Sequence, residues 1–535
     1  MFMIFKKGDR LDPSNYRGIC VANAIAKLYD GILCQRLYHW FTPFREQAGA
    51  QRQRGCLEHI TTLRLITDAA RRKKIKLFVA FIDFSKAYDL VPRRKLFEVL
   101  KQAGCGKVML AALIAMYRVT ENIIGSAVVT ATQGIKQGLS SSCFLFTIFV
   151  NELIKRIKNM CQPEPFLQWL HILMLMDDTV LLSTTRTGII HKLKVLHGFC
   201  ETYGMKVNVS KTKFFVINGE VEDREQLSVG DLVVEHCDSY VYLGSPFMCD
   251  GSVSSAVKEH AKTKICQVLK FVSFITKNNC VPFIVKRRVF EAALASSLLY
   301  GCESWVGADT KPVIKLYHWA MKSLLGVRKN TSNLVCYAEL GYPSLPDLIQ
   351  HKQHRFLRKL WQERSEMADD PWSFVVKLIS TRNTPVARAV NKYIQDNVRD
   401  MSTLVNNVHR AIATSDTSRC NTYMDINPTM TVHEIYRARH AVNDLHRISF
   451  TRFRVSGHSL AIETGRWNRP GRGRLPIEER LCVCGSVQSE RHVIEHCEVT
   501  QHLRDRYAFS NFDDICKNYS HEVTCKIIHD VLLSY

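Results

Sequence analysis

The 535-residue sequence predicts an α+β fold, and three stretches predict it. An apolar, β-rich run from Lys76 to Ile82 stops at one carboxylate, Asp83. A second stretch, LMLMDDTVLLS from Leu173 to Ser183, places apolar runs on both sides of an acid pair, Asp177 and Asp178. That is the pattern of a β-hairpin with both acids at its tip. From Val253 to about Leu345, apolar residues recur instead at helical spacing.

Taken in order, the run Lys76–Ile82 delivers Asp83 where the chain leaves the sheet. A helix follows from Pro92, a residue suited to a first helical position, and Gly104 can end it. The segment GIKQGLSSSCFLF, Gly134 to Phe146, comes next. Its glycines allow close backbone approach to a ligand, its Gln and Ser residues offer uncharged hydrogen bonds, and an apolar helical pattern follows. By itself this segment is equally a loop with a helix cap. The Asp177–Asp178 hairpin completes the set. Asp is a common turn residue, so the pair alone decides nothing. Adjacent acids repel, however, and an acid pair at a tight turn generally needs a cation. Three acids from two adjacent strand ends can hold two divalent cations through oxygen ligands. Such a site can catalyse in-line phosphoryl transfer.

Beyond Val253, the residues Val257, Ala261, Ile265, Val268, Leu269 and Val272 fall on one helical face with lysines over much of the rest. Pro282 can open a second helix running through Leu299. Residues from about Pro346 to Gly465 are also mostly helical and basic, with no legible chemistry. The segment RWNRPGRGRLP, Arg466 to Pro476, has the composition of a linker or a nucleic-acid contact. Then Cys482, Cys484, His492 and Cys497 form a C-x-C…H-x4-C set suited to tetrahedral structural zinc, with His496 competing with His492 as the ligand.

With 73 Lys and Arg against 50 Asp and Glu, the net charge of +23 points to a polyanionic partner. The charge is dispersed, recurring on helices at Lys258, Lys262 and Lys270 and at Lys286, Arg287 and Arg288, which suits a groove tracking a nucleic-acid backbone. A generally basic solvated surface would have the same composition. Hydrophobic content of 46% is ample for packed cores. No secretory signal is visible at Met1, and no apolar run reaches the roughly 20 residues needed to span a bilayer. The 19 cysteines are scattered and odd in number, so reduced thiols in the nucleus or cytoplasm are expected, with no membrane partner.

In this order the motifs resemble the reverse transcriptases of non-LTR (LINE-type) retrotransposons. KKGDRLDPSNYRGI (Lys6–Ile19) is similar to the fingers motif, FIDFSKAYD to motif A, GIKQGLSSS to motif B, LMDD to motif C and GMKVNVSKTK (Gly204–Lys213) to motif D. YVYLGSPF (Tyr240–Phe247) resembles the segment leading into the thumb, and LLYGCESW (Leu298–Trp305) the thumb itself. The resemblance implies a right hand of fingers, α/β palm with an antiparallel sheet, and helical thumb, followed by a helical region and a zinc knuckle. The implied bounds are 1–75 fingers, 76–247 palm with interleaved fingers elements, 248–345 thumb, 346–475 basic connector, 476–500 knuckle and 501–535 tail.

The resemblance also implies roles. Asp83 and Asp177 would bind two catalytic Mg2+ ions, with Asp178 in support. Tyr88 would be the ring under the sugar of an incoming dNTP, crowding a ribose 2′-OH. Gln137 and Gly138 would shape the pocket for the nascent base pair. Lys7 and Arg17 would grip the triphosphate, Arg being suited to bidentate contact, and Lys211 would protonate pyrophosphate. The knuckle's Zn2+, on Cys482, Cys484, His492 and Cys497, would be structural. The partners would be an RNA template, a DNA primer or nicked target DNA, and dNTPs.

The chain departs from the family's usual pattern at several places. Leu175 and Met176 precede the acid pair where an aromatic and an alanine are usual. Ser141 stands for an apolar residue, Cys143 for a proline, and Ala50 for the aromatic of a QxGF segment. No nuclease segment is recognisable at either end, which reads as a truncated element, a partial gene model or a domesticated descendant. The expectation is an RNA-directed DNA polymerase. The alternatives are a polymerase that makes RNA, which Tyr88 opposes, and an inactive nucleic-acid-binding remnant.

Overall fold

A computed structural model describes residues 2–6, 8–12, 15–118, 121–124, 126–380, 384–439, 442–467 and 473–535. The chain folds as two compact units. The first comprises residues 1–256 with 303–308 and 357–394; the second comprises 257–302, 309–356 and 395–535.

The first unit opens with an antiparallel pair, β1 (Phe2–Phe5) and β2 (Tyr16–Ile19), and two long helices, α1 (Ala24–Trp40) and α2 (Cys56–Lys73). Asn23 caps α1 by accepting from Ala26 N, an ordinary Asn role. Strand β3 (Leu77–Ile82) is buried along its whole length, as its unbroken apolar run requires. Helices α3 (Ala87–Leu90), α4 (Arg93–Gln102) and α5 (Lys107–Arg118) follow. Then come the pair β4 (Glu121–Ile124) and β5 (Ala127–Thr130), helix α6 (Ser142–Met160), the hairpin β6 (Ile172–Leu175) and β7 (Asp178–Ser183), and helix α7 (Arg186–Tyr203). Strands β8 (Lys213–Ile217), β9 (Leu227–Val229) and β10 (Leu232–His236) complete a six-stranded sheet in the order β6-β7-β3-β8-β10-β9.

Strand β3 lies in the middle of this sheet, antiparallel to both β7 and β8. Its side chains alternate between faces, as period two demands. Phe78, Ala80 and Ile82 enter a core with Phe144 and Phe149 of α6 and Leu193 and Phe199 of α7. On the opposite face Phe81 stacks on Tyr240 at 4.2 Å with 9° between ring planes. Tyr240 belongs to a separate hairpin of β11 (Ser239–Tyr242) and β12 (Ser245–Met248). Register places Ile82 opposite Thr179, so the next pair along the strands is Asp83 opposite Asp178.

The second unit is helical in its described residues. Helix α8 (Val253–Lys277) enters it. The expected second helix runs from Phe283 through a π-turn at Phe290–Ala295 to Leu298. The apolar face of α8 is rotated from the expected one. Val257, Ala261 and Val268 are buried as expected, but Ile265 and Leu269 are 40% and 49% exposed. The buried stripe continues instead through Phe271 and Ile275. A 3.6-residue repeat drifts along a long helix, and a short apolar window does not fix which edge packs. A second correction concerns the basic cluster near residue 287. The Lys286 side chain is 1% exposed and pairs with Asp444 at 3.0 Å, so it cannot face a nucleic acid. Arg287 pairs with Glu291 at 2.9 Å, while Arg288 is exposed. At the C-terminal end a core forms around Phe450, Phe453, Val493, Ile527 and Ile528. Among the described residues no helix is long and apolar enough to cross a membrane. None of the 19 cysteines, all among the described residues, forms a disulfide.

Candidate active site

Asp83 leaves β3 with its backbone clamped by the 208–212 segment. Asn208 N donates to Asp83 O at 2.7 Å, and Asp83 N donates to Thr212 Oγ1 at 3.2 Å. The neighbouring hairpin turns at Met176 and Asp177, and Asp178 is the first residue of β7. The tip therefore holds Asp177 within the turn and Asp178 at the strand's start. Met176 takes φ +60°, a left-handed conformation that costs a non-glycine residue energy and tends to collect at functional sites. Gln47, fully buried, holds this turn. Met176 N donates to Gln47 Oε1 at 3.0 Å, and Gly49 N donates to the same oxygen at 2.7 Å. At Gly49 any side chain would strike Met176, because a Cβ would lie 2.6 Å from its backbone nitrogen.

The three acids share one electrostatic environment. Burial raises the Asp177 carboxyl above the usual carboxylate range and Asp83 adds to the rise, while Arg17 and Lys211 oppose it. The Asp178 carboxyl is pushed up to about 6, by burial first and then by Asp177 and Asp83. Lys211 Nζ lies 3.2 Å from Asp83 Oδ2. Mutually repelling carboxylates with a lysine as local counter-charge make an oxygen-only donor set, which suits hard divalent cations such as Mg2+.

Further expected residues converge on the same place. Arg17 is exposed on β2, and its charge acts on both Asp177 and Tyr88. The Tyr88 ring stacks on Phe146 at 4.4 Å, and burial, reinforced by the Cys143 thiol and Asp177, pushes its hydroxyl well above the ordinary tyrosine value. Gln137 Nε2 donates to Asp89 Oδ1 at 3.0 Å, and Cys20 N donates to Gln137 O at 2.6 Å. Gly138 takes φ +115°, and a Cβ there would lie 2.5 Å from Cys20 O, so only glycine fits. A cavity of about 160 Å³ beside this loop is lined by Gly18, Cys20, Asp89, Arg93, Gly134 and Gln137. Lys7 lies outside the described residues, as do residues 468–472 of the arginine-rich 466–476 segment.

Two residues at this site escape a sequence reading that weighs one segment at a time. Gln47 was legible only as part of QAGA. Arg64 of α2 is 2% exposed, donates to Ser245 Oγ at 2.7 Å and Pro246 O at 3.1 Å, and lies 4.7 Å from the Phe247 ring centroid. It thereby anchors the hairpin that carries Tyr240. Burial pushes the Tyr240 hydroxyl up to about 12, with Asp83 and Asp178 adding to the rise, which puts this ring beside the acids. An arginine set between Leu63 and Leu65 in the apolar stretch of α2 was the available signal.

The second cluster lies in the other unit. Cys482, Cys484, His492 and Cys497 bring their donor atoms within 4.8 Å of one another. The Cys482–Cys497 and Cys484–Cys497 sulfur separations are 3.6 and 3.9 Å. Tetrahedral zinc with Zn–S near 2.3 Å sets sulfurs about 3.8 Å apart, so the set fits the ion. His492 Nε2 lies 3.2 Å from Cys484 Sγ, whereas His496 is turned to Glu495 at 3.5 Å with a side chain 67% exposed. The tight C-x-C spacing is accommodated by a turn at Gly485, φ +87°, with Cys482 N donating to Ser486 O at 2.7 Å.

Residues 4–247 match the family model described as reverse transcriptase (RNA-dependent DNA polymerase). The chain is 23% identical over 267 residues to the retrovirus-related Pol polyprotein from type-1 retrotransposable element R2 of Nasonia vitripennis, covering 47% of this chain and 26% of that one. It is 23% identical over 350 residues to the corresponding polyprotein from type-2 element R2DM of Drosophila melanogaster, covering 62% and 31%. The chain thus spans about a quarter to a third of the length of these curated relatives. Among solved structures, telomerase from Candida albicans in complex with a fragment of telomeric RNA aligns over 70% of this chain and 56% of its own, at 14% identity and a TM-score of 0.31. That likeness is too loose to place any residue.

Proposed function

We propose that this chain, whose residues 4–247 match the reverse transcriptase family model, is an RNA-directed DNA polymerase of the kind carried by non-LTR retrotransposons. The observation that carries the proposal is the register of β3 against β7. It sets Asp83 opposite Asp178 at the mouth of a hairpin whose turn holds Asp177, with Arg17, Tyr88 and Lys211 alongside.

In this reading the domain is a right hand whose palm is the six-stranded sheet and whose thumb begins with α8. Asp83 and Asp177 would hold two Mg2+ ions, with Asp178 in support; when bound, these would supply activation of the attacking oxygen and stabilisation of the leaving one. The primer 3′-oxygen forms a bond to the α-phosphorus of a dNTP, the bond from that phosphorus to the bridging oxygen of pyrophosphate breaks, and pyrophosphate leaves. Arg17 grips the triphosphate; its planar fork matches phosphate oxygens. Lys211, beside Asp83, passes a proton to the departing pyrophosphate. Tyr88, braced by Phe146, crowds a 2′-hydroxyl and so selects deoxyribonucleotides. Gln137 and Gly138 close on the nascent base pair. Cys482, Cys484, His492 and Cys497 would hold structural zinc in a knuckle that contacts nucleic acid. The template is the element's own RNA, and the primer is a nicked target-DNA end.

The test is extension of a DNA primer annealed to an RNA template by the purified chain with Mg2+, comparing dNTPs with rNTPs. Incorporation of dNTPs supports the proposal. Incorporation of rNTPs alone would make the protein an RNA polymerase, and the absence of any extension would leave a nucleic-acid-binding protein.

A further inference from the structure

The loop from Gly134 to Ser141, which carries Gln137 and Gly138, is held from three sides. Gly134 N and Ile135 N donate to Val91 O and Tyr88 O, each at 2.8 Å. Cys20 N donates to Gln137 O at 2.6 Å. The third side is α1. Cys34 Sγ donates to Ser140 O at 3.2 Å. Ser141 N donates to Asp30 Oδ2 at 3.0 Å, and Ser141 Oγ donates to Asp30 Oδ1.

Asp30 is 0% exposed, and a buried carboxylate is costly unless hydrogen bonds replace its water. Both of its oxygens are answered by Ser141. Ser141 is also the N-cap of the 19-residue α6, yet its own side chain makes no capping bond. Asp30 therefore supplies an anion at this helix end from another element, where unpaired N–H groups and the helix dipole favour negative charge. One buried charge thus fixes both the exit of the loop and the entry of the helix. Ser141 is one of the departures from the usual motif, and its hydroxyl has a dedicated partner. The substitution is built into the site rather than a sign of decay.

The loop has no slack to absorb a shift at Ser141. Gly138 packs against Cys20 O so closely that no Cβ fits, and Gln137 is bonded through both its backbone and its amide. We infer that Asp30 is a positioning residue for nucleotide selection: through Ser141 it sets where Gln137 and Gly138 meet the nascent base pair. This rests on the function proposed above.

The test is single-nucleotide extension on an RNA template annealed to a DNA primer, with Asp30→Asn, Asp30→Ala and Ser141→Ala in the full chain. In Asp30→Asn the ratio of kcat/KM for the matched over a mismatched dNTP falls about tenfold, as loss of a charged hydrogen bond worth about 1.4 kcal/mol implies. The fall comes mainly through KM for the matched dNTP, with primer–template affinity and melting temperature near wild type. Ser141→Ala, which keeps the backbone bond to Asp30, gives a smaller fall in the same direction. An unchanged ratio at any level of activity would overturn the inference and reduce Asp30 to a folding role. Should Asp30→Ala fail to fold, Asp30→Asn carries the test. Should the wild type not extend at all, the proposed function fails, and hydrogen exchange reads the positioning separately. Faster exchange confined to residues 134–146 in Asp30→Asn supports the inference, and unchanged exchange there overturns it.

Discussion

Tyr88 stacks at 4.4 Å on Phe146, so the ring's place is set by the α6 core rather than by the nucleotide. Replacing it with valine removes the crowding and leaves the acids untouched. Tyr88→Val is expected to raise rNTP incorporation relative to dNTP by roughly ten- to a hundredfold, read as the ratio of kcat/KM values. Arg64 works by a different device. Burial pulls its guanidinium down to about 9, yet it donates to two acceptors of β12 and lies over Phe247. Arg64→Ala is expected to cost about 2–4 kcal/mol through lost packing and two unpaired acceptors, seen as a lower denaturant midpoint. Arg64→Met, which keeps the stem, costs less. The acids were legible because each interrupts an apolar run. Gln47 and Arg64 were not, because their partners lie 129 and 181 residues away along the chain.

Among the elements, β3 and the β6–β7 hairpin were legible because an uninterrupted apolar run and a paired run with a polar tip each have one stable arrangement. The face of α8 was not. Its apolar residues exceed what one neighbour can cover, and packing rather than periodicity chose Phe271 and Ile275 over Ile265 and Leu269. The cysteine cluster was legible in its residue types, and the fold brings His492 rather than His496 to the three thiols. Ser489 caps the short helix Glu490–Glu495 by accepting from His492 N at 3.1 Å, and that helix turns His492 inward. One zinc per chain is expected by metal analysis, falling to a small fraction in Cys484→Ser. Chelation should loosen the C-terminal core around Phe453 and Val493, measured as faster hydrogen exchange there, because zinc binding and local folding are coupled.

At the scale of the whole molecule, a charge of +23 set the class of partner, but not the surface that meets it. Lys286 was read as part of a basic groove and is instead consumed internally by Asp444, which no composition can reveal. The remaining basic surface should still dominate affinity. Binding of an RNA–DNA duplex is expected to weaken steeply with salt. Contact with about 5–10 phosphates gives a log–log slope of about −4 to −9, and a slope near zero would point away from backbone contact. In the proposed function Asp83, Asp177 and Asp178 form one metal-dependent site for nucleotidyl transfer. The most direct test is Mg2+-dependent primer extension on an RNA template by wild type, Asp83→Ala and the Asp177→Ala, Asp178→Ala double variant, with duplex binding measured in parallel. Extension by the wild type, lost in both variants while binding persists, is the predicted result. Equal extension by either variant would contradict it.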